Sequence, residues 1–97
     1  MIMHIALFTW VPGVSESQVG ELEHCLDEMA ATIDFVKEYR HGADLGIHEG
    51  NLDYGVAAVL ENAADLDRYL GHPAHRRIVD DYMFPMIAKR MAVQIAI

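Results

Sequence analysis

The chain has 97 residues, 53% hydrophobic and 23% charged, with 15 acidic residues against 7 basic ones and a formal net charge of -8. That length closes over one core only, so residues 1–97 are read as a single domain, and the apolar fraction excludes a disordered chain. The acidic balance argues against nucleic acid or an anionic membrane surface as partner, and the single Cys25 excludes an intrachain disulfide framework.

Residues 2–10 read as a strand. Ile2, His4, Ala6, Phe8 and Trp10 fall on one face and Met3, Ile5, Leu7 and Thr9 on the other, so both faces are largely apolar. The opening MIMHIALFTW has no basic n-region or small-residue cleavage site and is too short to span a bilayer. The expectation is a soluble, cytoplasmic protein. Pro12-Gly13 ends the strand, and Ser15 with Gln18 three residues on is a capping-box signal for a helix. Val19, Leu22, Leu26, Met29 and Ile33 then recur at helical spacing, with Glu16, Glu23 and Asp27 on the outer face. This helix lies in an acidic half: residues 1–53 carry 10 acids against Lys37 and Arg40, whereas residues 54–97 hold 5 of each sign. Residues 35–45 suggest a strand interrupted by charges and Gly42, and Gly46, Gly50, Asn51 and Asp53 mark a loop. Tyr54–Leu60 is an almost uniformly apolar strand. Asn62 can cap a short helix with Ala63, Leu66, Tyr69 and Leu70 inward, stopped by Gly71. His72-Pro73 restarts a helix that Pro85 ends or kinks, and Met91–Ile97 alternates as a last strand.

The order β-α-β-β-α-β implies an α+β sandwich of ferredoxin-like type, a four-stranded antiparallel sheet with helices on one side. Helices can cover only one face of strands that are apolar on both, and the other would exceed the apolar patch a monomer exposes. The open faces are therefore expected to pair into a homodimer, a dimeric α+β barrel.

The chemistry-bearing cluster is Tyr69-Leu70-Gly71-His72-Pro73-Ala74-His75. His75 is in register with Ile78, Val79, Tyr82 and Met86, on the inward face of its helix. Proximity to a helix N-terminus and burial both disfavour its protonated form, which suits a general base or an acceptor for a substrate hydroxyl. Tyr69 also points inward, where its phenol could polarise a carbonyl. His4 sits among apolar neighbours and needs a partner inside the fold. The alternative for each is a core residue satisfied by one hydrogen bond. His72 and His75 lack an evident third ligand, so no metal site is expected; His41, His48 and Glu49 are candidates by composition alone. Cys25 reads as a packed thiol, and His72, Phe8, Trp10 and Tyr82 are candidate pocket residues.

Three stretches together, Met3-His4-Ile5, Gly50 to Tyr54, and Tyr69 with His72-Pro73-Ala74-His75, resemble the stress-responsive dimeric A/B barrel (Dabb) family over essentially the whole chain. The resemblance implies a ferredoxin-like protomer and a homodimer whose sheets form a barrel. In the plant polyketide cyclases of this kind, which use no cofactor, the motif's tyrosine and last histidine form the working pair. They correspond to Tyr69 and His75, with His4 in the same pocket. Two readings follow. One is a protein that binds or converts a small hydrophobic, polyketide-like molecule by cofactor-free acid/base chemistry of the cyclase or lyase kind. The other is a non-catalytic stress-associated dimer in which the histidines hold the helix break. A cofactor-independent oxygenase is a third, resting on fold analogy.

Overall fold

The computed structural model describes all 97 residues. Strand β1 (Ile2–Trp10) leads through Gly13, at φ 91°, to helix α1 (Glu16–Thr32). The capping box forms as expected: Gln18 N–H donates to Ser15 Oγ at 3.1 Å, and Ser15 N–H to Gln18 Oε1 at 2.8 Å. Strands β2 (Glu38–Ala43) and β3 (Tyr54–Leu60) follow, then helices α2 (Ala63–Gly71) and α3 (Pro73–Ile78). After α3 the chain makes a wide π turn (Val79–Met83) and a closing turn (Phe84–Met86) before strand β4 (Ile87–Ala96).

The sheet order is β2-β3-β1-β4 with every neighbouring pair antiparallel, the ferredoxin-like arrangement. All the helices lie on one side. The core forms between them and the sheet, where Ala6, Phe8, Val56, Ala58 and Leu60 meet Leu22, Leu26, Met29 and Ile33 from α1. Each fully buried leucine contributes about 1.5–3 kcal/mol by leaving water. No helix is long and apolar enough to cross a membrane.

Four expectations need correction. The final strand begins at Ile87, not Met91, because Lys89 and Arg90 still pair with Thr9 and Phe8 although their charges hide the alternation. The second strand is shorter than residues 35–45. The break between α2 and α3 comes not from Gly71, the last residue of α2, but from His72, held extended at ψ 135°. The ring of the following Pro73 disfavours helical backbone there. Finally, the helical stripe does not continue unbroken from His75 to Met86. In the π turn the Phe84 N–H reaches back to the Val79 carbonyl, five residues away, and the extra residue brings Met83 into the core in place of Tyr82.

The loop between β2 and β3 is tied at both ends. Asp44 carboxylate oxygens accept from Gly46 N–H (2.9 Å) and Asn51 Nδ2 (3.0 Å). Asp53 donates its N–H to the Phe8 carbonyl at 2.8 Å and accepts the Trp10 N–H on Oδ2 at 2.8 Å. Gly46 and Gly50, at φ 73° and 84°, make the turns between them. The Gly50–Tyr54 segment thus clamps the end of β1, which carries Phe8.

Candidate functional site

A cavity of about 330 Å³ lies between the sheet and the helices. His4, Ala6 and Phe8 line it from β1, Tyr39 and Val56 from β2 and β3, and Tyr69, Leu70 and His75 from the α2–α3 junction. Phe84, Ile87 and Arg90 also line it, and Phe84, 83% exposed, stands where it opens to solvent.

Of the residues singled out in the sequence, His4, Phe8, Tyr69 and His75 meet here. His72, Trp10 and Tyr82 do not. His72 is the cap of α3, its Nδ1 accepting the Ala74 N–H at 3.1 Å, with its ring 6.4 Å from Phe35. Trp10 stacks behind Phe8 and Tyr54, with ring centroids 6.2 and 5.6 Å away. The π turn leaves Tyr82 in a separate groove beside Gln18 and Glu21, where the influence of the Cys25 thiol raises the pKa of its phenol. No three His, Cys, Asp or Glu side chains converge in a metal-binding arrangement.

The helix break positions His75 against Tyr69, ring centroids 4.5 Å apart. The Leu70 carbonyl lies 3.1 Å from His75 Nδ1. A carbonyl can only accept, so Nδ1 carries the proton and Nε2 keeps a free lone pair. Burial holds this imidazole below its ordinary value, against the opposing pull of the Leu70 hydrogen bond. His4 is the one polar residue among the fully buried set, 3% exposed. Its Nδ1 accepts from Gln94 Nε2 at 2.9 Å, which leaves the proton on Nε2. Burial, and then the nearby Arg90 charge, push its pKa down as well. The two histidines therefore bring opposite characters to one cavity, His75 an acceptor and His4 a donor.

Tyr69 completes the set. Its hydroxyl bonds the Tyr39 hydroxyl at 3.1 Å, and burial pushes its pKa up to about 12. Both phenols stay protonated near neutrality, since burial raises Tyr39 further still. Tyr39 and Arg90 are site residues that sequence reasoning passed over. Tyr39 lies on the strand with the weakest pattern. Arg90 would have shown itself had β4 been extended back to Ile87, because it then pairs with Phe8 on the helix-covered face.

A second polar chain lies outside the cavity. Asp27 Oδ1 accepts from His41 Nε2 at 2.7 Å, and His41 Nδ1 meets the Tyr54 hydroxyl at 2.7 Å. The His41 side chain is only 6% exposed. Asp27, expected to be one of several solvated acids, in fact fastens α1 to β2 and β3. His24 pairs with Glu28 at 2.8 Å on the exposed helix face.

Comparison with known proteins places this geometry. A Thermobifida fusca protein, described as dimeric, ferredoxin-like and of unknown function, is 41% identical, covering 99% of this chain and 90% of its own, with a TM-score of 0.93. A Dabb family protein from Mesorhizobium loti superimposes with a TM-score of 0.81 at 18% identity, covering 99% of this chain and 95% of its own. The hydroxynitrile lyase of Passiflora edulis does so at 0.84 and 17% identity, with 99% and 92% covered. At these last two identities the likeness shows the fold alone. No curated protein matches the chain. The sequence pattern of the stress responsive A/B barrel domain matches residues 2–97, end to end over the fold just described, and the chain therefore belongs to the Dabb family.

Proposed function

We propose that this protein is a homodimer, joined through its open sheet faces, that takes a small, largely apolar molecule into the cavity of each protomer. The observation that carries the pocket reading is the cavity itself: apolar walls with a few convergent polar groups that include both donors and an acceptor. A substrate carbonyl at Tyr69 receives a hydrogen bond from a neutral phenol, and His75 Nε2 takes a proton from the adjacent carbon. His4 Nε2–H is a further donor. Base and oxyanion donor together serve enolisation, aldol-type cyclisation or lyase chemistry, with no cofactor called for.

The dimer rests on the other face. Met3, Ile5 and Leu7 of β1 stand directly opposite Ile95, Val93 and Met91 of β4. Leu7, Met91, Val93 and Ile95 are 39%, 48%, 52% and 43% exposed. A continuous apolar strip of this kind is what a second copy covers, and the 41% identical Thermobifida fusca protein is described as dimeric.

A specific observation favours a second, non-catalytic reading. The His75–Leu70 hydrogen bond spans the break between α2 and α3, which is how a purely structural histidine would hold it. Native mass spectrometry of gently purified protein separates the two. The pocket reading expects a dimer retaining a small-molecule adduct that His75→Ala loses while the dimer and its melting temperature persist. A bare dimer whose stability collapses in His75→Ala would assign the histidine to structure.

A further inference from the structure

Arg90 is the one formally charged residue lining a cavity of 14 residues, 11 of them hydrophobic. Its side chain makes no hydrogen bond or ion pair within the chain. That is informative in a protein with 15 acids and a net charge of -8. Lys37, Arg40, Arg68 and Arg76 each find a carboxylate within 4.0 Å. Arg77 and Lys89 are also unpaired, but neither reaches the cavity. No acid lines the cavity, so nothing in the protomer competes for the guanidinium there.

Register explains its placement. Arg90 pairs with Phe8, Ala92 with Ala6 and Gln94 with His4, so Arg90 shares the helix-covered face with His4. It lies four positions along the strand from Gln94, about 13 Å at the usual rise. Its charge is felt at His4, Tyr69 and His75 alike.

Accepting the pocket reading above, on which this step rests, we propose that Arg90 is the anion-recognising residue of the cavity and that the molecule taken there is an apolar carboxylate. Its chain fills the apolar space while its carboxylate meets the guanidinium, a planar fork suited to two parallel N–H···O bonds. One cation with no second beside it suits a monoanion; a phosphate dianion would be left half neutralised.

The test is isothermal titration calorimetry of the full-length protein with octanoate and with octanamide, its uncharged counterpart. A charge-assisted contact of this kind is expected to make octanoate bind about tenfold tighter or more. Arg90→Gln should remove that preference and Arg90→Lys should keep part of it. Because Arg90 is exposed, both variants should melt with the parent, and melting curves check this. Equal binding of both probes to the parent, or a preference that survives Arg90→Gln, overturns the role of Arg90 and leaves the pocket reading standing. Failure of both probes to bind overturns both.

Discussion

Ala6 and Leu7 are adjacent on β1, yet one is 4% exposed and the other 39%. They belong to the two faces of the sheet. The helix-covered face holds Ala6 and Phe8 in the core and, between them and the helices, a cavity with polar groups on its walls. The open face carries Met3, Ile5 and Leu7 against Ile95, Val93 and Met91. Val59, on the same face, is buried but stands apart from the core cluster. Both faces are apolar, so hydrophobicity alone does not tell them apart. What differs is the polar content. The covered face includes a fully buried histidine whose unmet hydrogen-bonding capacity would be costly, so it is matched by Gln94. The central strip of the open face is aliphatic. Such a surface suits association, whereas the polar groups of the cavity side suit the chemistry proposed for it.

The largest effect should come from charging the open face. Ile5→Asp would place an unpaired carboxylate from each protomer in the proposed interface, at several kcal/mol apiece. The dimer dissociation constant should rise on the order of a thousandfold, read as a monomeric mass by light scattering at micromolar concentration, with helical circular dichroism retained. An unchanged dimer would place the interface elsewhere. The next effect belongs to the covered face. Leu22 is 0% exposed, and Leu22→Ala should destabilise the fold by about 2–5 kcal/mol through lost transfer energy and the void left behind. Chemical denaturation measures this, and the strip proposed to pair protomers should be untouched. The comparison breaks if the two substitutions act alike.

A smaller effect sharpens it. Burial lowers His4 and His75 from the ordinary value of 6.5, so the unfolded chain binds these protons more readily than the folded one. Their contribution to stability is complete above that value and is lost as pH falls from there through the lowered folded-state values. Between about pH 7 and the carboxylate range the melting temperature should therefore decline, and His75→Gln should flatten the decline. Identical slopes in parent and variant would show that His75 is not held neutral by the fold.

Local signals were legible where a short-range rule operates. The capping box at Ser15, the Asn62 cap, the apolar stripe of α1 and the strand Tyr54–Leu60 each rest on residues within one or two turns of each other. The alternation of β1 marked His4 and Phe8 as neighbours on one face. Tyr69 and His75 were legible because α2 and α3 each present an inward side. The illegible parts depend on what a residue meets across the fold. Lys89 and Arg90 fell outside the last strand because β4 is an edge strand whose side chains stay exposed, so charges can stand where the alternation would call for apolar residues. Tyr82 was misplaced because a π turn adds one residue to a repeat, a shift that spacing cannot reveal. Asp27 looked like one acid among several until His41 arrived from a strand 14 residues away.

By itself, then, the sequence determined the element order, the ferredoxin-like class, the surplus apolar face and the motif that places the chain among the Dabb proteins. These follow from periodicity, capping and turn chemistry, all of them short-range. Only the tertiary structure decided which polar groups share the cavity, which nitrogen of each histidine holds its proton, and that Arg90 stands there unpaired. Those properties arise from contacts between residues as far apart as His4 and Gln94, and the pairing register and helix packing that bring such residues together exist only once the chain has folded.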